Sequence, residues 1–185
     1  MAQKNPWTKL GSRLIYENPW IRVREDQVVS PHGARGIYGV IETRLATGVV
    51  ALSDELTICL VGQYRYPTEE YSWEIPEGGA NPGEPGIDAA RRELREETGL
   101  EADQWQQLGG EIHLSNCFSA ERGQLFLAQG LREGPSAPDD TELLQVRWLP
   151  FSEALQMVDR GEIKDSLSII GILRASRVLD PGKKL

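Results

Sequence analysis

The stretch from Gly78 to Leu100 reads GGANPGEPGIDAARRELREETGL, and its second half carries the spacing of a helix that is acidic along one edge. At about 100° per residue, with Glu93 as origin, Glu97 falls at about 40° and Glu96 at about −60°. The three carboxylates therefore share a face. Ala90, Leu94 and Ile87 fall at about 60°, 100° and 120°, so the acidic edge borders the stripe that should pack on a core. Like charges four residues apart destabilise a helix by a few tenths of a kcal/mol unless something positive sits among them. A hard divalent cation such as Mg²⁺, which takes oxygen ligands and bridges to phosphates, suits that position. The helix is expected to open near Ile87 or Asp88 and to end at Gly99, a residue suited to a left-handed stop. The alternative is a solvated helix in which Arg91, Arg92 and Arg95 simply lace Glu93, Glu96 and Glu97 with salt bridges.

Outward from this segment, Tyr71 to Ile75 reads as extended, and Pro67 breaks it from the run Leu56 to Tyr64. That run and Val49 to Leu52 flank the turn Ser53-Asp54-Glu55 and read as a hairpin with a buried second strand. The first 45 or so residues carry β-like pieces: alternation around Trp20 to Glu25, then Ile37 to Thr43 after the turn Pro31-His32-Gly33. Downstream, Glu111 to Leu114, Gln124 to Ala128 and Leu143 to Leu149 read as strands. Two helices follow, Ser152 to Arg160 with a serine N-cap and Asp165 to Val178. The alternation fits a mixed α/β or α+β sandwich with helices covering a sheet. The expected division is an N-terminal β extension over residues 1–45 and a main domain over 46–185.

A chain of 185 residues that is 39% hydrophobic and 26% charged can bury one good core. Its net charge of −8 argues against nucleic acid as a partner, and implies that an anionic substrate must be met by recruited cations. The N-terminal residues lack an apolar signal core, and no stretch approaches the roughly 20 apolar residues of a membrane span. A cytoplasmic protein is expected. Cys59 lies in an apolar run and Cys117 in a loop, which suggests two reduced thiols.

The spacing of Gly78, Glu84, Arg92, Glu93, Leu94, Glu96, Glu97, Gly99 and Leu100 is similar to the defining motif of Nudix hydrolases, and fills every slot of it. The resemblance implies the α/β/α Nudix sandwich. It implies that Glu93 and Glu97 are the principal metal ligands, with Glu96 alongside as ligand and catalytic group. The backbone carbonyl of Glu77 would join the coordination shell. Arg92 would pair with Glu84 to hold the loop against the helix, and Gly78 would let the backbone approach the metal without a Cβ. Two or three Mg²⁺ ions, with Mn²⁺ as the substitute, would neutralise a diphosphate and activate a water for in-line attack, yielding two monophosphates.

Gln63-Tyr64-Arg65-Tyr66-Pro67 and Trp73-Glu74-Ile75-Pro76-Glu77-Gly78-Gly79 resemble the branch that cleaves ADP-ribose and nucleotide sugars such as GDP-mannose. That match makes Arg65 a phosphate contact, whose plainer role is a surface arginine at a strand end; Arg44 is a further candidate substrate contact. Asp139 to Val146 aligns with an acidic loop of the branch, which makes Glu142 a ligand and catalytic carboxylate and Asp140 a base. A solvated acidic turn is the alternative there. The branch usually has a Ser-Pro-Gly turn in the preceding loop, where this chain has Ser115 to Glu121 without proline; Glu121 is a second base candidate. Trp20 could stack a purine, or serve as a core or dimer contact. Exchange of N-terminal strands in the branch implies a homodimer. Two other readings compete: a non-catalytic sensor of ADP-ribose, and a nucleoside triphosphate pyrophosphohydrolase.

Overall fold

Val49, Val50 and Ala51 form an unbroken apolar run because the strand that carries them, β4 (Ala46–Ala51), is covered on both faces. The computed structural model describes residues 4–134 and 144–180. Within it the chain forms two units, one from Met1–Arg44 with His113–Arg122 and the other from Leu45–Ile112 with Gly123–Leu185.

In the larger unit, β4 pairs antiparallel with the short β7 (Glu77–Gly79) and parallel with β10 (Arg122–Glu133), which pairs antiparallel with β8 (Leu100–Gln107). The sheet is thus mixed. Helix α1 (Gly86–Thr98) lays Ala90 and Leu94 on Val49, Ala51, Phe126 and Ala128, with Ile87 at the edge of the same cluster. Full burial of Leu94 contributes about 1.5–3 kcal/mol. Helix α3 (Ser166–Leu179) covers the opposite face, where Gly171 sits so close that a Cβ would come within 3.1–3.3 Å of Ile75, Val50 and Leu125. A second sheet of this unit has β5 (Thr57–Arg65) between β6 (Glu70–Glu74) and β11 (Gln145–Pro150), and is followed by α2 (Phe151–Asp159).

The smaller unit is the antiparallel sheet β1 (Thr8–Glu17), β2 (Ile21–Val29) and β3 (Arg35–Thr43). The 113–122 segment is tied to β3: Ile41 donates to the Phe118 carbonyl and accepts from the Ala120 N–H, and Tyr38 donates to the Cys117 carbonyl. Trp7, Leu10, Leu14, Ile15, Tyr16, Trp20 and Ile37 of this unit are all exposed.

Several sequence expectations change. Val49 to Leu52 and Leu56 to Tyr64 do not form a hairpin: apart from one bridge, Leu52 to Ile58, the two strands belong to different sheets. A run buried on both faces gives no period-2 signal, so its partner could not be read from its neighbour in sequence. Pro150, not Ser152, occupies the cap position of α2, and no side chain caps it. Asp165 does cap α3, accepting from the Ser168 N–H at 2.7 Å. The strand at Glu111 to Leu114 shrinks to the two-residue β9 (Ile112–His113). β1 and β8 are long strands that polar side chains hid. Cys59 is buried, and that burial, with the charge of Glu97 nearby, pushes its thiol up to about 12; Cys117 is exposed. No helix among the described residues is long and apolar enough to cross a membrane.

Candidate active site

Helix α1 begins after Pro85 and stops at Gly99, whose φ of 71° permits the left-handed turn that returns its N–H to the Arg95 carbonyl. Between these ends, Arg92 is the organising residue. Its guanidinium donates to Glu84 through Nε at 3.1 Å and Nη2 at 3.0 Å, to Glu93 at 2.7 Å, to Glu96 at 2.9 Å and to the Gly79 carbonyl at 3.0 Å. This is the planar fork of arginine gripping several oxygens at once. Glu84 also accepts from the Asn81 N–H at 2.7 Å, and these bonds, Arg92 first, hold its carboxyl below the usual range. The Glu84 hydrogen bond chiefly raises the pKa of Arg92 in turn, against the opposing effect of burial.

The loop before α1 comes back to the helix at two points. Glu97 accepts the Glu77 N–H at 2.9 Å, and a Cβ on Gly78 would overlap the Glu93 carboxylate. Only glycine lets Glu93 reach the backbone there. The donor set is therefore hard carboxylate oxygen on one helix face, set directly against main chain, which fits a divalent cation in kind. Among the described residues, no three acidic, histidine or cysteine side chains converge at ligating distance, since Arg92 holds Glu93 and Glu96. A cation entering here would compete with that grip.

A feature missed from sequence is the acidic pocket behind β7. Arg65 bonds Glu74 through Nε and Nη2 and bonds Glu77 at 2.9 Å. Burial opposes the charge of Arg65, yet the bond to Glu74 and the charges of Glu74, Glu77 and Asp165 raise its pKa. The Glu77 carboxyl is pushed well above its ordinary range, first by burial and then by Asp165 and Glu74. Its Oε2 has no donor, and Asp165 can satisfy it only when one of the two carboxyls carries a proton. The clue in the sequence was Glu74 set between Trp73 and Ile75, a buried acid at the end of β6. Because folding raises this pKa, the stabilisation is full below the unfolded value of about 4.3 and is lost as pH rises through the folded value. Glu77→Gln in EDTA should therefore gain thermal stability over the parent chain progressively as pH rises above the unfolded value of about 4.3; a pH-independent difference in melting temperature would contradict the buried-acid assignment.

Arg44 and Glu121 line a different cavity, of about 500 Å³, with His113, Asn116 and Arg122 in the smaller unit. Trp20 is 71% exposed, and the Asn18 side chain accepts the Trp20 and Ile21 N–H groups to form the turn that presents it. Asp140 and Glu142 lie outside the described residues.

Comparison with known proteins bears on all of this. Residues 42–167 match the NUDIX domain, and residues 7–41 match the nucleoside diphosphate sugar hydrolase N-terminal domain. An ADP-ribose pyrophosphatase of Mycobacterium tuberculosis is 37% identical over 91% of this chain and 83% of its own length. An ADP-ribose pyrophosphatase of Bacillus subtilis is 30% identical over 88% and 89%. A methanol dehydrogenase activator of Bacillus methanolicus is 32% identical over the same shares. In the crystal structure of an ADP compounds hydrolase the same fold recurs with a TM-score of 0.84 over the full length of both chains at 19% identity. With its glycine loop, Arg92 clamp and acidic helix edge inside a matched NUDIX domain, the chain belongs to the Nudix hydrolase family, as an enzyme of the kind that hydrolyses nucleoside diphosphate derivatives.

Proposed function

We propose that this enzyme cleaves the diphosphate of ADP-ribose to AMP and ribose 5-phosphate, with nucleotide sugars such as GDP-mannose as further substrates. The observation that carries the chemistry is the Glu93 carboxylate seated where a Gly78 Cβ would be, beside Glu97 on the Glu77 N–H. The likeness to two ADP-ribose pyrophosphatases supports the substrate, and the match of residues 7–41 to a sugar-hydrolase domain supports the breadth.

Nudix hydrolases work with divalent metal; here we assign Mg²⁺, two or three ions per site, with Mn²⁺ able to replace it. Glu93, Glu96, Glu97, the Glu77 carbonyl and Glu142 would hold them. When bound, the metal would neutralise the diphosphate and lower the pKa of a water so that, once a base takes its proton, it can attack phosphorus. The chain's own part is to hold that geometry. Arg92 fixes Glu84, Glu93 and Glu96, while Arg65 and Arg44 receive phosphate charge and Trp20 stacks the base. Glu142, Asp140 and Glu121 are the base candidates. Glu142→Gln and Glu121→Gln, compared by kcat, should differ by roughly a hundredfold or more, as general-base removal requires; equal mild losses would mean that neither acts in the chemical step. The smaller unit, with its exposed Trp7, Leu10, Leu14 and Ile15, supports assembly as a homodimer.

Phosphatase-coupled phosphate release from ADP-ribose, GDP-mannose, ADP-glucose and NADH, with Mg²⁺ and then with EDTA, tests the reading. Metal-dependent turnover fastest on ADP-ribose is expected. Turnover of none of these derivatives would favour the sensor, and pyrophosphate release from free triphosphates would favour a triphosphatase.

A further inference from the structure

Asp88, Arg91, Arg92 and Arg95 recur on α1 at the i, i+3, i+4 and i+7 spacing of a single stripe. Arg91 and Arg95 stand at about 160° and 200° from Glu93, on the side of the helix opposite the acidic edge. Facing them are Glu101 and Trp105 of β8 and Arg132 of β10, and together they line a cleft of about 360 Å³. That volume is at the small end of ligand clefts, which run from about 300 to 1,000 Å³.

Four guanidinium groups against two carboxylates is an unusual lining in a chain of net charge −8. Their partners do not balance them. Arg91 lies 3.4 Å from Asp88 with both groups half exposed, and its guanidinium stands 5.7 Å from the centre of the Trp105 ring. Arg132 pairs with Glu101 and, at 3.4 Å, with Asp103. Arg92 is turned to Glu84, Glu93 and Glu96. Arg95 has no carboxylate at ion-pairing distance among the described residues, although it sits four residues from Arg91, where like charges repel. An anion between Arg91, Arg95 and Arg132 would remove that repulsion.

We propose that this cleft is a second anion site, distinct from the acidic edge, that binds a phosphate monoester dianion. Arginine forks match phosphate oxygens in pairs, and the Trp105 ring supplies an apolar wall for the sugar or base that the phosphate carries. The family's reaction releases groups of this class.

The test is calorimetric titration of the full chain in EDTA, without substrate, with inorganic phosphate, ribose 5-phosphate, AMP and adenosine. Saturable binding of the phosphorylated probes is expected. It should weaken roughly tenfold or more in Arg95→Ala, the loss that follows from removing a charged hydrogen-bond donor. It should stay unchanged in Arg44→Gln, which alters a candidate phosphate contact in the other unit. If inorganic phosphate binds as well as AMP, the anion alone is recognised; if AMP binds more tightly, Trp105 contributes; both support the site. Absence of saturable binding, adenosine binding as tightly as AMP, equal affinity in Arg95→Ala, or loss confined to Arg44→Gln would each overturn it. None of these outcomes bears on which diphosphate the enzyme cleaves.

Discussion

Glu97→Gln is expected to lower kcat by about three powers of ten, the equivalent of roughly 4 kcal/mol of lost charge stabilisation at a metal-assisted reaction centre. The fold should survive. Glu97 accepts the Glu77 N–H at 2.9 Å, and the amide oxygen of glutamine can still accept it. What glutamine lacks is the negative charge. The loss should therefore appear in kcat and in the Mg²⁺ concentration needed for half-maximal rate, while the melting temperature moves by a few degrees at most. Near-normal turnover at saturating Mg²⁺ would remove Glu97 from the ligand set.

The second large effect belongs to Arg92. Arg92→Ala deletes every bond from its guanidinium to Glu84, Glu93, Glu96 and the Gly79 carbonyl. It leaves three carboxylates near one another with no cation between them. Removing one partner of a largely shielded ion pair costs on the order of 2–4 kcal/mol, discounted here because Glu96 is a third exposed. Denaturant melts in EDTA should show that loss. Added Mg²⁺ should restore part of it, because a divalent ion supplies the positive charge that Arg92 supplied. Arg92→Lys should recover less than half, since an ammonium cannot reproduce the fork. Turnover should fall about a hundredfold as Glu93 and the glycine loop lose register. A melt unchanged within about 0.5 kcal/mol would show that Arg92 does not clamp the loop, given that ordinary surface substitutions fall in that range.

Legibility of the molecule from its sequence followed the strength of local signals. Helix α1 could be read because apolar and acidic positions repeat at helical period and Gly99 marks its stop. The mixed sheet could be named in kind, but not in its pairing. Val49, Val50 and Ala51 look alike from either face, and β4 finds β10, far along the chain, instead of the strand beside it. Polar strands were harder still: β1 and β8 alternate weakly, so their hydrogen-bonded edges leave little trace in residue type. At the site, fixed spacing pointed to Glu93, Glu96 and Glu97, whereas Glu74 and Asp165 needed three dimensions. The meeting of Glu74, Glu77 and Asp165 is made by folding, and a lone acid between two large apolar residues does not reveal its neighbours. The same limit applies to Arg95, which has no carboxylate at ion-pairing distance among the described residues.

The most direct test of the central assignment is diffraction from crystals grown with Mn²⁺ and an uncleavable diphosphate analogue, recorded at the manganese absorption edge. Anomalous peaks between the α1 carboxylates Glu93 and Glu97 and the Glu77 main chain are predicted, and they should vanish in Glu97→Gln. Density for the analogue with no manganese at that edge, or with manganese only elsewhere, would contradict it.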